Sequence, residues 1–335
     1  MTTLTKHHKA RLCALLVGGS LLWGTAPALA QSKTPIDFYI ISKTVGHAPF
    51  WLAEKKGFYA QENLDVKLGV TGSISTILSA VASGAAPLSL GGGTDTILAI
   101  QKGAPVVMIG GNLNAMTWTL VGQKPFQTMK ELKGQTIGVS AITDVMGTAV
   151  KAVMRTQGME YPRDYSLVQL GGTPNQWAAL QKGQLAATAL AIPWGKQAVD
   201  SGYTQLAWLA DHIPNFLLTA IIADRNWLAR SHENRATAVR LVKAAIQSYR
   251  WMNENKAEAV SWIAEEFKLK PEYAEHAWEQ YTRRVWPKDG RISRQAVVET
   301  TAVMQEFGLI SAPLPSPDSI MDLAIVEQAL KELGR

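Results

Sequence analysis

One local pattern occurs three times between Tyr39 and Gly103, and it constrains the fold more than any other feature of the sequence. Each copy has a short strand-like run, a loop of small polar residues and a helix-forming segment that ends at a glycine. The copies cover residues 39–57, 64–84 and 88–103. Short apolar runs that alternate with helices are typical of βαβ units. We therefore predict an open α/β sheet with parallel strands.

The same pattern returns in the next part of the chain, beginning near Gly122. A strand that ends at Ser140 leads into a helix closed by Gly158, where a left-handed glycine is the usual end of a helix. Further strand-like runs follow at Leu167–Leu170 and Ala187–Ala191. These runs predict a second α/β lobe.

From Ser231 onward the sequence changes to amphipathic helices, so its last part is predicted to be helical. We predict one lobe over residues 35–121, completed by about 219–335, and a second lobe over 122–218. Two α/β lobes joined by chain crossings describe a hinged receptor, in which a ligand lies in the cleft between the lobes and stabilises the closed form.

The first 30 residues have the features of a secretory signal. A basic stretch around Lys6 to Arg11 precedes the apolar run Leu12–Trp23, and Ala28-Leu29-Ala30 is a typical cleavage site. We predict cleavage after Ala30 and a soluble protein in the periplasm. The single cysteine, Cys13, is lost with the leader, so disulfides, thiolate nucleophiles and cysteine-based metal sites are excluded from the mature chain.

The formal net charge of +6 comes partly from the leader, and the other basic residues are spread thinly. Because no Lys/Arg cluster is interleaved with aromatic residues, we expect no nucleic-acid binding. The histidines show no metal-ligand spacing, so we expect no metal or other cofactor. We expect a monomer.

Ligands of open α/β sheets bind beyond the carboxyl ends of the strands, at the loops where helices begin. In the first lobe, the candidate ligand-binding residues at these places are His47, Phe50, Trp51, Gly72, Ser73, Gly93, Thr94 and Asp95. In the crossover region and the second lobe they are Asn114, Ser140, Thr143, Thr173, Trp177 and Trp194.

Each candidate also has a purely structural interpretation. Ser73 binds an oxyanion or caps its helix, and Asp95 binds an amino group or caps the helix that follows it. The aromatic candidates, Phe50, Trp51, Trp177 and Trp194, either contact the ligand or belong to the core.

The ligand predicted from these loops is a small organic anion. Hydroxyl groups and helix starts at Ser73, Thr94 and Ser140 supply donors, and Trp177 or Trp194 covers the apolar part of the molecule. No arginine stands in the loops, which favours one delocalised carboxylate or sulfonate over a phosphate.

Several segments, in this order and spacing, resemble the periplasmic substrate-binding proteins of ABC importers, in the nitrate/sulfonate/taurine and thiamine-precursor family. They cover residues 53–59, 62–66, 80–84, 99–105, 131–134 and 179–183. The resemblance implies a type II periplasmic-binding fold, a non-enzymatic receptor and an ABC permease as its membrane partner. Two positions depart from the family, since Ala85-Ala86-Pro87 and Ala187-Thr188 stand where relatives usually carry aspartate.

The resemblance leaves alternatives to the organic anion. One is a thiamine-precursor (pyrimidine) binding protein. Another is an enzyme of pyrimidine synthesis with the same fold, although that relative depends on a cysteine-rich motif that is missing here. A third is a ligand-sensing partner of a membrane kinase.

Overall fold

The structure is a computed structural model that describes residues 32–334. The predicted signal segment 1–30, with Cys13 and the cleavage site after Ala30, lies outside the described residues. No helix in the described part of the chain has the length and apolar character needed to cross a bilayer.

The first sheet has five strands in the order β2-β1-β3-β10-β4. β1 pairs in parallel with β2 and β3, whereas β10 runs antiparallel to β3 and β4. The strand bounds are β1 Thr34–Ile40, β2 Leu64–Val70, β3 Leu88–Gly92, β4 Val106–Leu113 and β10 Thr219–Asp224.

The second sheet repeats this plan in the order β7-β6-β8-β5-β9. β6 pairs in parallel with β7 and β8, and β5 is antiparallel to β8 and β9. The strand bounds are β5 Trp118–Gly122, β6 Thr136–Val139, β7 Ser166–Gln169, β8 Ala187–Ala191 and β9 Thr204–Trp208.

The chain passes between the sheets twice, through residues 114–117 and through residues 209–218. In each sheet, the antiparallel strand is the first one after a crossing. Strand β5 hydrogen-bonds in the second sheet, so the first crossing precedes Trp118. The sequence analysis had placed the division after residue 121.

Helices connect the strands within each lobe. The helices of the first lobe are α1 Ala48–Lys55, α2 Phe58–Gln61, α3 Ile74–Ala82 and α4 Gly93–Gln101. The helices that follow β6, β7, β8 and β9 are α5 Val145–Thr156, α6 Thr173–Gln181, α7 Trp194–Asp200 and α8 Leu209–His212. A 3-10 turn at Val45–His47 precedes α1, and another at Met129–Leu132 precedes β6.

The C-terminal part is helical, as the sequence predicts. Its helices are α9 Arg225–Arg230, α10 His232–Glu254, α11 Lys256–Glu266, α12 Pro271–Gln280, α13 Arg294–Glu306, α14 Pro317–Ile320 and α15 Leu323–Glu332. A π-helical segment, Tyr281–Val285, continues α12. Helix α10 packs on α1 and α15, and α13 packs on α4. This region therefore lies largely on the first lobe.

The glycine run after Leu90 differs from the loop that the sequence suggests. Gly91 and Gly92 belong to β3, and Gly93 is the first residue of α4, so strand and helix meet without a loop. A Cβ on Gly91 would lie 2.6 Å from Thr96 Oγ1. Glycine is therefore needed here for close packing, and the strand delivers the start of α4 directly to the carboxyl edge of the sheet.

Candidate functional site

The segment after β1 places its three candidate residues in different surroundings. His47 is buried, and its Nδ1 lies 2.9 Å from the carbonyl oxygen of Ser42. Burial lowers the pKa of His47 to about 4, so the ring is neutral at pH 7. Phe50 is fully buried and stacks on Phe38 with the ring centroids 5.1 Å apart. Phe50 is therefore a core residue of the first lobe rather than a cleft residue.

Trp51 is half-buried at the same end of the lobe, with the Lys43 ammonium 5.8 Å from its ring centroid. Lys43 stands in the loop after β1 and forms an ion pair with Glu266. Its charge is therefore already compensated within the protein. Lys43 is therefore not free to pair with an anionic ligand.

Ser73 is the N-cap of α3. Its Oγ accepts the backbone N–H of Thr76 at 3.3 Å and lies 2.8 Å from Ser75 Oγ. Gly72 adopts the left-handed conformation before it, with φ of +70°. The structure thus shows the capping role that the sequence left open for Ser73.

The start of α4 is fixed against the second crossing. The N–H of Gly93 donates to the carbonyl oxygen of Leu218 at 2.9 Å. A Cβ on Gly93 would lie 2.1 Å from the carbonyl oxygen of Leu217. Glycine at this position is required by the neighbouring backbone, and its N–H is used within the protein rather than offered to a ligand.

Thr94 and Asp95 follow in the first turn of α4. Thr94 is 4% exposed, and its hydroxyl donates to Asp95 Oδ2 at 3.4 Å. A Cβ on Gly92 would meet Asp95 Oδ2 at 2.8 Å, so the carboxylate folds back over that glycine. The helix start at Thr94 therefore presents a carboxylate, not a free hydroxyl.

The start of α5 in the second lobe is also occupied by a carboxylate. Asp144 Oδ1 accepts the N–H of Gly147 at 2.8 Å, and its Oδ2 accepts the hydroxyl of Ser140. A Cβ on Gly147 would lie 2.2 Å from the carbonyl oxygen of Ala141, so the loop fits tightly against the helix. Thr143 is exposed in this loop. The Ser140 hydroxyl and the positive end of α5 are thus both satisfied by Asp144.

Asp95 and Asp144 lie at the starts of α4 and α5, helices of opposite lobes that contact each other. Burial raises the pKa of Asp95, and the nearby charge of Asp144 raises it further. Burial also raises the pKa of Asp144, against the opposing effect of its hydrogen bonds. Both groups are therefore destabilised as carboxylates in the ligand-free form.

The remaining candidates of the second lobe lie at the starts of α6 and α7. Trp177 packs edge-on against Tyr203, with the ring centroids 5.0 Å apart, and belongs to an apolar cluster within the lobe. Trp194 begins α7 directly after β8 and is half-buried against the same cluster. Thr173, the first residue of α6, is half-buried. Of the two tryptophans, Trp194 is the first residue of its helix, whereas Trp177 lies within α6.

Asn114, in the first crossing, is bound to the C-terminal region. Its Nδ2 donates to the carbonyl oxygen of Arg291 at 2.8 Å, and its backbone N–H donates to Val285 at 3.2 Å. Asn114 therefore anchors the crossing through its Nδ2 and backbone N–H, whereas its buried Oδ1 has no hydrogen-bond partner among the described residues.

The sequence analysis did not include Tyr281 and Trp286, which support the first-lobe loop from behind. Their rings stack with centroids 4.9 Å apart, and Trp286 Nε1 donates to the carbonyl oxygen of Gly46 at 2.8 Å. The Tyr281 side chain is hydrogen-bonded to Thr117 in the first crossing. The sequence analysis predicted amphipathic helices for this part of the chain, but nothing in the sequence indicated a π-helical segment at Tyr281–Val285.

The starts of α4 and α5 thus present carboxylate oxygens, which accept hydrogen bonds from a ligand that binds near them. Two half-buried carboxylates attract a cation or a group with N–H donors, and they disfavour an anion. Among the described residues there is no group of three His, Cys, Asp or Glu side chains suited to a metal ion. The arrangement suits a small organic molecule that carries the positive charge or the donors itself.

The sequence matches the NMT1/THI5-like family over residues 44–259. The chain belongs to this family. The resemblance expected from the sequence segments is thereby confirmed.

Two curated relatives show the range of this similarity. The formylaminopyrimidine-binding protein of Halalkalibacterium halodurans is 26% identical over 261 residues, which cover 75% of this chain and 76% of the relative. The 4-amino-5-hydroxymethyl-2-methylpyrimidine phosphate synthase of Schizosaccharomyces pombe is 25% identical over 144 residues, 43% of this chain and 38% of the relative.

Among solved structures, the alkanesulfonate-binding protein SsuA of Xanthomonas axonopodis, bound to MOPS, matches with a TM-score of 0.66. The two are 17% identical, and the match covers 89% of this chain and 97% of the other. Together with the two five-stranded sheets, this likeness confirms the type II periplasmic-binding fold predicted from the sequence.

Proposed function

We propose that this protein is a non-enzymatic solute receptor that captures a small ligand with a cationic or N–H-donating group and delivers it to an ABC permease. The favoured ligand class is an amino-substituted pyrimidine. The observation that carries the proposal is the pair of carboxylates, Asp95 and Asp144, that the two lobes bring together.

The energetics of this pair favour a ligand with donors. Each carboxylate is held at the start of a helix by its neighbours, so neither can turn away without losing hydrogen bonds. Burial opposes the ionisation of both groups, and the charge of Asp144 also opposes that of Asp95. A cationic or N–H-donating group between the two removes both penalties and gains charge-assisted hydrogen bonds of about 1.5–3 kcal/mol each.

The organic anion predicted from the sequence loses its main support in this geometry. Of the three hydroxyls expected to hold it, those of Thr94 and Ser140 donate to carboxylates, and that of Ser73 caps α3. An anion at the α4 and α5 starts would also meet two negative charges. Binding of an anion is therefore the competing outcome of the titration described below.

The names of the two curated relatives support a pyrimidine ligand. The relative from Halalkalibacterium halodurans is a formylaminopyrimidine-binding protein and matches three quarters of this chain. An aminopyrimidine carries an exocyclic N–H₂ donor and a ring nitrogen that can be protonated, the groups that two carboxylates recognise. In this proposal Trp194, the first residue of α7, stacks on the flat ring.

The proposal is tested by calorimetric titration with 4-aminopyrimidines, alkanesulfonates, taurine and nitrate. We expect micromolar or tighter binding of an aminopyrimidine, weakened about 10- to 100-fold in Asp95→Asn and in Asp144→Asn. Asp65→Asn, an exposed change on β2, is the matched control and should leave the affinity unchanged. Binding of sulfonates alone, or unchanged affinity in both site variants, would contradict the proposed ligand class.

The non-enzymatic part of the proposal has its own test, because one relative is named as a synthase. We expect the bound molecule to be recovered unchanged, by mass spectrometry, after prolonged incubation with the protein. Recovery of a new product would overturn the receptor assignment.

Export to the periplasm as a monomer also belongs to the proposal. We expect the protein from the periplasmic fraction to begin at Gln31 by intact-mass analysis and to elute as a single chain. A retained leader or a lipid adduct would contradict this part.

A further inference from the structure

The two lobes touch at a second place, away from the crossings, where α5 meets the end of α13. Helix α5 belongs to the second lobe, because it follows β6 of the second sheet. Helix α13 belongs to the first lobe, because its Val297 and Met304 pack in one apolar cluster with Met108 of β4 and Ile222 of β10. A contact between α5 and α13 is therefore a contact between lobes.

Phe307, at the end of α13, is at the centre of this contact. The Arg155 guanidinium carbon lies 4.4 Å from the centroid of the Phe307 ring, and Arg155 also forms an ion pair with Glu306. The ammonium group of Lys151, one turn earlier on α5, lies 5.1 Å from the same centroid. A single aromatic ring from one lobe thus meets two cations from the other.

Lys151 is 7% exposed, and none of the ion pairs among residues 32–334 includes it. Its ammonium group lies near two rings, Phe307 and the more distant Tyr161 at 5.9 Å. The nearby charge of Asp144 also acts on the Lys151 ammonium group, although the two form no ion pair. A buried cation gains more from an aromatic face than an exposed one does. When α13 moves away, Lys151 loses one of its two rings.

The position of Phe307 is fixed by the way α13 ends. Its N–H donates to the carbonyl oxygen of Val303 at 3.1 Å, and the N–H of Gly308 donates to Gln305 at 2.9 Å. Gly308 then turns the chain in the left-handed conformation, with φ of +68°. The backbone that carries the ring is therefore held in place by the helix end.

We propose that Phe307, Lys151, Arg155 and Glu306 form a latch that holds the two lobes closed over the ligand. The proposal rests on the receptor function proposed above, since a latch has meaning only in a protein whose lobes open and close. Lys151 and Arg155 lie on α5 of the second lobe, whereas Glu306 and Phe307 lie at the end of α13 on the first lobe. If the two helices separate when the lobes open, these contacts are lost and stabilise the closed form alone.

The latch acts on the equilibrium between open and closed forms. A contact that exists only in the closed form raises the ratio of closed to open molecules by a factor set by the free energy of the contact. It slows ligand release by a comparable factor. Loss of one cation–π contact of this kind should lower the ratio of closed to open molecules about 3- to 30-fold.

The test measures lobe separation directly. Because the one cysteine of the sequence is Cys13, spin labels can be attached at Lys67→Cys on β2 and Ser166→Cys on β7, exposed positions on the edge strand of each sheet. Electron–electron distance measurements then give the closed fraction without ligand and with a 4-aminopyrimidine. The test variant is Phe307→Leu, with Phe307→Trp as the variant that keeps an aromatic face.

Lys56→Met is the matched control, because the Lys56 ammonium lies 3.9 Å from the Trp251 ring centroid within the first lobe. We expect Phe307→Leu to lower the closed fraction and to speed release of the pyrimidine, and Phe307→Trp and Lys56→Met to behave like the unmodified chain.

Equal closed fractions in the unmodified chain and in Phe307→Leu, or a chain that never closes, would overturn the latch. If the pyrimidine does not bind but the ligand-free closed fraction still falls in Phe307→Leu, the latch stands and the proposed ligand class is wrong.

Discussion

Asn112, on the strand that leads into the first crossing, donates its side-chain amide to Thr219 Oγ1 at 2.9 Å, and Thr219 begins the strand that follows the second crossing. The oxygen of the same amide lies 3.2 Å from the Tyr249 hydroxyl. Asn112 is fully buried. One amide group in the core of the first lobe thus links β4, which leads into the first crossing, to β10, which follows the second crossing.

Replacement of Asn112 by alanine should therefore destabilise the first lobe by about 2–3 kcal/mol, because Thr219 and Tyr249 lose a buried partner. Urea unfolding measures the loss, and hydrogen exchange should be faster at the amides of β10. Asn175→Ala is the control, since Asn175 is exposed and donates to Leu170 at 3.1 Å. If Asn112→Ala and Asn175→Ala both lowered the free energy of unfolding by the same small amount, the hydrogen bonds of Asn112 would contribute little to stability.

Gly93→Ala should be among the most damaging small substitutions at the site. The new Cβ would lie 2.1 Å from the backbone oxygen of Leu217, which cannot move without shifting the second crossing. We expect a loss of about 2–3 kcal/mol in the free energy of unfolding. Gly172→Ala, before α6, is the control, because its Cβ would meet only Pro174 Cδ at 3.7 Å. A stable Gly93→Ala variant would mean that the crossing is more adaptable than its contacts indicate.

The strand–helix repeats were predictable because each unit carries local signals, a β-branched run and a closing glycine. Strand β4 was missed, although all eight of its residues, Val106–Leu113, are buried. Its Gly110-Gly111 pair resembles a turn in the sequence. In the structure, the C-terminal part of the chain packs directly against this pair. The Gly111 N–H donates to the carbonyl oxygen of Gly290 at 2.7 Å, and a Cβ on Gly111 would lie 2.4 Å from the carbonyl oxygen of Arg291. A contact with a segment so distant in sequence leaves no local signal.

The same limit applies to the site. The sequence indicated which loops reach the carboxyl edges of the sheets, but it could not show how their side chains are used. Ser140 was predicted to hold an anion, whereas its hydroxyl donates to Asp144 four residues later. The pairing of Asp144 with Asp95 depends on how closely the lobes approach, which local patterns do not encode.

Asp95→Asn should stabilise the ligand-free protein while it weakens ligand binding. In the unmodified chain, burial and the charge of Asp144 raise the pKa of Asp95, and the amide removes the Asp95 charge at nearly constant shape. We expect the melting temperature of Asp95→Asn to exceed that of the unmodified chain by about 2–4 °C at pH 7. A melting temperature at or below that of the unmodified chain would show that the Asp95 charge does not destabilise the ligand-free protein.

The pH dependence of this gain follows from the raised pKa of Asp95. As the pH falls through that raised pKa, the unmodified chain takes up a proton at the pair and the repulsion disappears. The advantage of Asp95→Asn should therefore shrink on acidification, and binding of an aminopyrimidine to the unmodified chain should weaken over the same range. Thermal scans at several pH values measure the first effect, and calorimetric titration measures the second.

His47 should make the first lobe sensitive to acid over a different range. Burial lowers its pKa to about 4, whereas in the unfolded chain it is 6.5. Below pH 6.5 the unfolded chain therefore binds a proton that the folded chain does not, and stability falls until the folded His47 is also protonated near pH 4. A shift of this size corresponds to a loss of about 3 kcal/mol. His47→Asn keeps an N–H donor for Ser42 without a titrating ring, so its urea midpoint should fall less between pH 7 and pH 4. The carboxylate pair is present in both proteins and cancels in the comparison. Parallel pH profiles would show that His47 is not the group that makes the lobe acid-sensitive.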